Sequence, residues 1–108
     1  MPPDASAETR TSEACRVVVR SVDGPVAREL FLLGEPSDAA GDAAAQARAV
    51  YAGLDDALAA RGAAWSDAIR ETIFLASSAS ELAVVRAARA AVVDATCPPP
   101  LAIEQPPL

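Results

Sequence analysis

Residues 42–62 read DAAAQARAVYAGLDDALAARG, and the spacing of their apolar side chains decides the fold. Val50, Leu54 and Leu58 recur every fourth position, with Ala47 and Tyr51 on adjoining positions. That is one apolar stripe along a helix of about five turns. Ser37-Asp38 and Gly41-Asp42 offer N-cap side chains that can accept from the free amides of a first helical turn. Gly62 is placed to end the helix in the left-handed conformation. Gly53 lies in the interior, where it costs roughly 1 kcal/mol relative to alanine. Close packing at that turn is the expected reason for keeping it.

Upstream of the helix, Arg16-Val17-Val18-Val19-Arg20 is short and β-branched, as a strand would be. Asp23-Gly24-Pro25 interrupts both regular structures, so the chain turns there. Residues 28–33, RELFLL, make a second apolar run, closed by Gly34-Glu35-Pro36. Two runs around one turn predict an antiparallel hairpin. Residues 1–14 are Pro, Ser, Thr, Ala and acids without apolar periodicity; they are expected to form a disordered tail, leaving 15–108 as one domain.

Downstream, Ile69, Glu71, Ile73 and Leu75 alternate with Arg70, Thr72 and Phe74, which predicts a strand within residues 65–75. Ser78 and Glu81 have capping-box spacing and open a second helix, with Leu82, Val85, Ala88 and Val92 at helical period. Pro98-Pro99-Pro100 stops it. Leu101-Ala102-Ile103-Glu104 begins a last short strand. The order β-β-α-β-α-β predicts an α+β fold, a single mixed or antiparallel sheet backed by two helices.

Composition narrows the chemistry. A chain of 108 residues makes one small domain, which often gains stability by associating with copies of itself. Its net charge of −6 repels phosphate backbones, so nucleic acid is not an expected partner. All nine basic residues are arginine, which removes lysine Schiff bases, imidazole bases and histidine metal ligands. Cys15 and Cys97 lie far apart, without CxxC spacing, and read as two reduced thiols. Asp55-Asp56 reads as a solvated pair, since adjacent helical residues do not share a face. No apolar run approaches the roughly 20 residues of a membrane span, and the polar, acidic start is unlike a secretory signal. A cytoplasmic protein without metal or cofactor is the expectation.

The order of elements, with the residues at their joints, resembles the Rid family, also named YjgF or endoribonuclease L-PSP. The resemblance runs from about Val17 to Pro107. Its middle is carried by Gln46, Leu54, Leu58, Gly62, Asp67, Ala68 and Ile69, followed by Thr72-Ile73-Phe74-Leu75. Phe31-Leu32-Leu33-Gly34-Glu35 resembles the family's strand ending in apolar-apolar-Ser-Gly-Gln. Pro98 to Glu104 resembles its late Pro-x-Arg segment. The resemblance implies a homotrimer whose intersubunit clefts hold small acids, 2-iminoacids or enamines. In that chemistry an arginine clamps the substrate carboxylate and so positions the imine carbon for attack by water.

This chain departs from the pattern where the chemistry is done. Aligning Ile103-Glu104 with the family's Val-Glu puts Pro100 at the clamp position, and proline binds no carboxylate. Leu33 replaces the serine, Glu35 the glutamine, and Gly53 the asparagine often found late in the first helix. The chain stops where the family continues into a final strand. The resulting expectation is a divergent relative that binds a small metabolite at subunit clefts without imine deamination, with Gly34, Glu35 and Glu104 as lining residues. Imine or enamine hydrolysis with the clamp relocated to Arg20 or Arg28 is the alternative. A chorismatase-like half-domain, suggested by the Ile103-to-Pro107 ending, and an assembly subunit also stand.

Overall fold

The computed structural model describes residues 4–37, 41–68, 70–75 and 78–104. Within them the order is β1 (Asp4–Thr11), β2 (Cys15–Asp23), β3 (Arg28–Pro36), α1 (Ala43–Ala60), a 3-10 turn (Trp65–Asp67), β4 (Thr72–Leu75), α2 (Ser78–Ala90) and β5 (Leu101–Glu104). The class is α+β with two helices, and the described strands form two sheets rather than the expected single one. β1-β2-β3 is antiparallel, and β4-β5 is a separate parallel pair. The sheet divides because β4 and β5 pair with each other across the α2 crossover, while among the described residues β3 pairs with β2 alone.

The anticipated hairpin is β2-β3, with Cys15 opposite Pro36 and Asp23 opposite Arg28. Its turn is closed by the Gly24 amide, which donates to the Ala27 carbonyl at 2.9 Å. The N-terminal segment departs from expectation. Residues 4–11 are not a tail but a strand paired along its full length with β2, from Asp4 opposite Asp23 to Thr11 opposite Arg16. A polar strand lacks apolar alternation, and the neighbouring backbone supplies ladder bonds whatever the side chains are.

Helix α1 has its expected ends. The Asp42 carboxylate accepts from the Ala45 amide at 2.9 Å. At the other end Gly62 has φ +69°, and its amide donates to Ala59 O while that of Ala63 donates to Leu58 O. This is a Schellman closure. Of the other proposed caps, Ser37 donates its hydroxyl to the Glu13 carbonyl instead, and Asp38 falls outside the described residues. Gly53 has the anticipated packing reason: a Cβ there would lie 2.6 Å from Cys15 Sγ and 3.1 Å from Val17 Cγ2. The helix therefore sits directly on β2.

Two other expectations are shortened. The strand anticipated within 65–75 is regular only over Thr72–Leu75, because the Asp67 carboxylate accepts from the Ala64 amide and folds residues 65–67 into a turn. The second helix ends at Ala90, well before the prolines. There the amides of Val92 and Val93 both donate to Arg89 O, and Asp94 caps the Thr96 amide.

The core has two parts under one helical layer. Cys15, Val17, Val19 and Ala57 join β2 to α1. Ala47, Tyr51, Leu75, Val85, Ala88 and Val93 join the two helices to β4. Alternation sends the other side chains of both sheets away from the helices, and among charged and polar ones such as Arg20, Glu35 and Thr72 several are large and apolar. Phe31 and Leu33 of β3, Phe74 of β4, and Leu101 and Ile103 of β5 are all exposed. Among the described residues, no helix is long and apolar enough to cross a membrane.

Candidate functional site

The three residues singled out from the sequence occupy different surroundings. Gly34 lies in β3 on the side facing α1, where a Cβ would meet Val50 Cγ1 at 2.8 Å and Leu54 at 3.3 Å. Val50 is β-branched and held to one helical rotamer, so glycine is needed at that position for the helix to approach. Glu35, the next residue, points to the opposite face, where its Oε2 accepts from Arg16 Nη2 at 2.8 Å. This pair joins cross-strand neighbours and is about half exposed on both sides, so its stabilising effect is small. Glu104 ends β5, opposite Leu75 in the parallel pair, on the exposed rim. β3 and β5 belong to different sheets, so Glu35 and Glu104 do not share one strand surface.

The arginines considered as relocated clamps also separate. Arg28 Nη2 donates to the Arg61 carbonyl at 2.7 Å, tying the start of β3 to the end of α1. Arg20 is exposed on β2, in register with Ala7 and Phe31 and on the side away from the helices. Pro100 directly precedes β5, whose first amide, that of Leu101, donates to Glu71 O at 2.9 Å.

The most organised polar centre was not singled out from the sequence. Glu71 sits just before β4 and accepts from Tyr51 Oη at 2.6 Å and from Arg89 Nε at 3.1 Å. Arg89 Nη2 also contacts Glu71 Oε1 at 3.0 Å and donates to the Pro98 carbonyl at 3.0 Å. The Glu71 and Arg89 side chains are only 16% and 12% exposed. Screening by water is therefore weak, and these charge-assisted bonds are worth more than surface pairs. Burial and then the Glu71 hydrogen bond raise the Tyr51 phenol well above its ordinary value, while the Glu71 hydrogen bond holds Arg89 firmly charged. Trp65 lies against Tyr51 with ring centroids 5.8 Å apart and donates its indole N–H to Asp55 at 2.9 Å.

This constellation joins α1, β4, α2 and the loop before β5. Its donors and acceptors are engaged with one another, so it works as a strut rather than as an open acid or base. The signal was present in the sequence: Glu71 interrupts the apolar phase of Ile73 and Leu75, and such a carboxylate needs a partner. Among the described residues, no three Cys, Asp or Glu side chains gather as metal ligands would. Cys15 is buried and Cys97 half-buried, both as free thiols.

Comparison with family models, with curated proteins and with solved structures finds no match to this chain.

Proposed function

We propose that this chain is a divergent Rid-like protein that assembles as a homotrimer and binds a small metabolite at clefts between subunits, without imine deaminase activity. The observation that carries the reading is the apolar side of both sheets. Phe31, Leu33, Phe74, Leu101 and Ile103 all lie exposed on the side away from the helices. At fractional exposures of 38–60%, with aromatic rings near 200 Å² each, they leave roughly 200 Å² of apolar surface on β3 and roughly 300 Å² on the β4-β5 pair. Exposed apolar groups of this kind on a small domain support association through the open side of the sheets. Glu35 belongs to the same side of β3, whereas Glu104, in phase with Ala102 rather than Ile103, ends β5 at its rim, where a neighbouring subunit would have to reach it around the end of the strand.

Loss of deamination rests on the arginines. Pro100 stands at the clamp position, Arg89 is engaged by Glu71 and Pro98, and Arg28 by Arg61. One observation favours the alternative of a relocated clamp. Arg20 lies on the apolar side beside Phe31 and makes no hydrogen bond or ion pair with the described residues.

Light scattering on the purified chain, and on a Phe31→Glu variant checked for helix content, tests the assembly. A trimer for the parent and a monomer for the folded variant is the expected result; a folded monomeric parent would sink the reading. Ammonia release from 2-iminoacids then separates the two chemistries. No release above background is expected, whereas release abolished by Arg20→Gln would establish the relocated clamp.

A further inference from the structure

Helix α1 covers β2 and β3 but stops short of β1, and this leaves a groove on the helical side of the three-stranded sheet. Its floor is Cys15 and Val17 of β2, both buried. One wall is α1, which presents the small residues Ala49, Ala52 and Gly53 there, together with Asp56. The other wall is β1. Arg10 is in register with Val17, and Glu8 with Val19, so both point to the helical side of the sheet, beyond the reach of the helix. The groove encloses about 310 Å³, the lower end of the range for small-molecule sites.

Its charges are few and opposed. Arg10 approaches Glu8 only at 3.6 Å, with both side chains more than 40% exposed, and Glu8 is shared at 3.6 Å with Arg61. Across the groove, Asp56 is exposed on α1 and has no hydrogen bond or ion pair with the described residues. The turn that closes one end uses its own polar groups: Ser12 N donates to Cys15 O at 2.8 Å, and Cys15 N donates to Ser12 Oγ at 3.1 Å. Among the residues lining the groove, a ligand therefore meets one cation, Arg10, and one anion, Asp56, with Glu8 beside Arg10 at its edge, and a short apolar floor.

We propose that this groove binds a small zwitterion, an α-amino acid with a short aliphatic side chain. Its carboxylate meets the Arg10 guanidinium, which takes carboxylates bidentately. Its ammonium meets Asp56. Its side chain rests against Ala49 and Ala52 at the open edge of the groove, beside the line where Gly53 brings the helix down onto Cys15 and Val17. A larger residue at Ala49 or Ala52 would fill that space. Eight paired positions hold β1 against β2, so the Arg10 wall is fixed in place before any ligand arrives. The site lies within one subunit and does not depend on trimer formation.

Titration calorimetry of the full chain with L-alanine tests this, with acetate and ethylamine as probes carrying one charge each. Saturable binding of L-alanine is expected, at least tenfold tighter than either single-ended probe. Arg10→Gln and Asp56→Asn are each expected to weaken it about tenfold or more. Ala52→Leu, at an exposed helical position, is expected to abolish it while circular dichroism and the thermal midpoint stay unchanged. Absence of saturable binding overturns the proposal. So does binding that survives all three substitutions, or that acetate or ethylamine alone reproduces.

Discussion

Replacing Gly53 by alanine sets two effects of similar size against each other, and the structure says which wins. In an exposed helix interior the change would stabilise by about 1 kcal/mol, because alanine loses less backbone freedom on folding. Here the new methyl would lie 2.6 Å from Cys15 Sγ and 3.1 Å from Val17 Cγ2, well inside contact distance. Cys15 and Val17 are 4% and 1% exposed, so neither can swing into solvent. Overpacking of this kind costs about 1–3 kcal/mol. The net expectation is a loss of roughly 1 kcal/mol. For a chain this small that moves a urea midpoint by roughly 0.5–1 M.

Urea unfolding followed by far-ultraviolet circular dichroism measures the shift, at one fixed protein concentration because assembly would couple to stability. The cause is isolated by repeating the substitution in a Cys15→Ala background, where the nearest clashing atom is gone. Gly53→Ala should then be neutral or stabilising, giving a coupling energy near 1 kcal/mol. Two outcomes refute the reasoning. One is Gly53→Ala raising the midpoint of the parent; the other is effects that add within about 0.5 kcal/mol, which would mean that helix and strand are not in contact there.

The strut around Glu71 makes two further predictions. Tyr51 has its phenol raised above the ordinary value of 10.0, first by burial and then by Glu71. A group whose folded value is raised contributes stability that is fully present below the unfolded value and lost as pH rises beyond it. Stability should therefore decline above about pH 10, and Tyr51→Phe should flatten that decline; thermal midpoints between pH 8 and 11 measure it. Glu71→Gln leaves Arg89 without its carboxylate in a site only 12% exposed, and should cost roughly 2–3 kcal/mol in urea unfolding. A cost under 0.5 kcal/mol would show the pair to be as weak as a surface one.

What could be read from the sequence follows from where side chains alone determine structure. Helix α1 was legible because its period, its Asp42 cap and its Gly62 stop are local chemistry, and all three agree. The hairpin β2-β3 was legible for the same reason. β1 was not. Its residues carry no apolar alternation, and its pairing to β2 is made by backbone groups that every sequence possesses. Helix α2 was extended too far because Val92 keeps the apolar period after the backbone has left the helix. The prolines marked a boundary that the turn at Asp94 had already made.

The same distinction explains the candidate site. Gly34 stood out because Phe31 to Glu35 resembles a strand ending in apolar-apolar-Ser-Gly-Gln, which made it a candidate cleft-lining residue. The structure answers with Val50 and Leu54 rather than with a ligand. The clamp position falls on Pro100 in the sequence reading, where Arg89 carried no role. In the fold it faces Glu71, a carboxylate of its own chain, in the two-point contact a substrate acid would have made. An arginine so engaged has little left to offer an imine substrate, since releasing it would leave Glu71 nearly buried and unpaired. Of the two arginines first considered as replacements, Arg28 is likewise held, by the end of α1, so a surviving deaminase would have to work through Arg20 on the open side of the sheet. A single substitution there, Arg20→Gln, therefore decides between a metabolite-binding relative and an enzyme with a moved clamp.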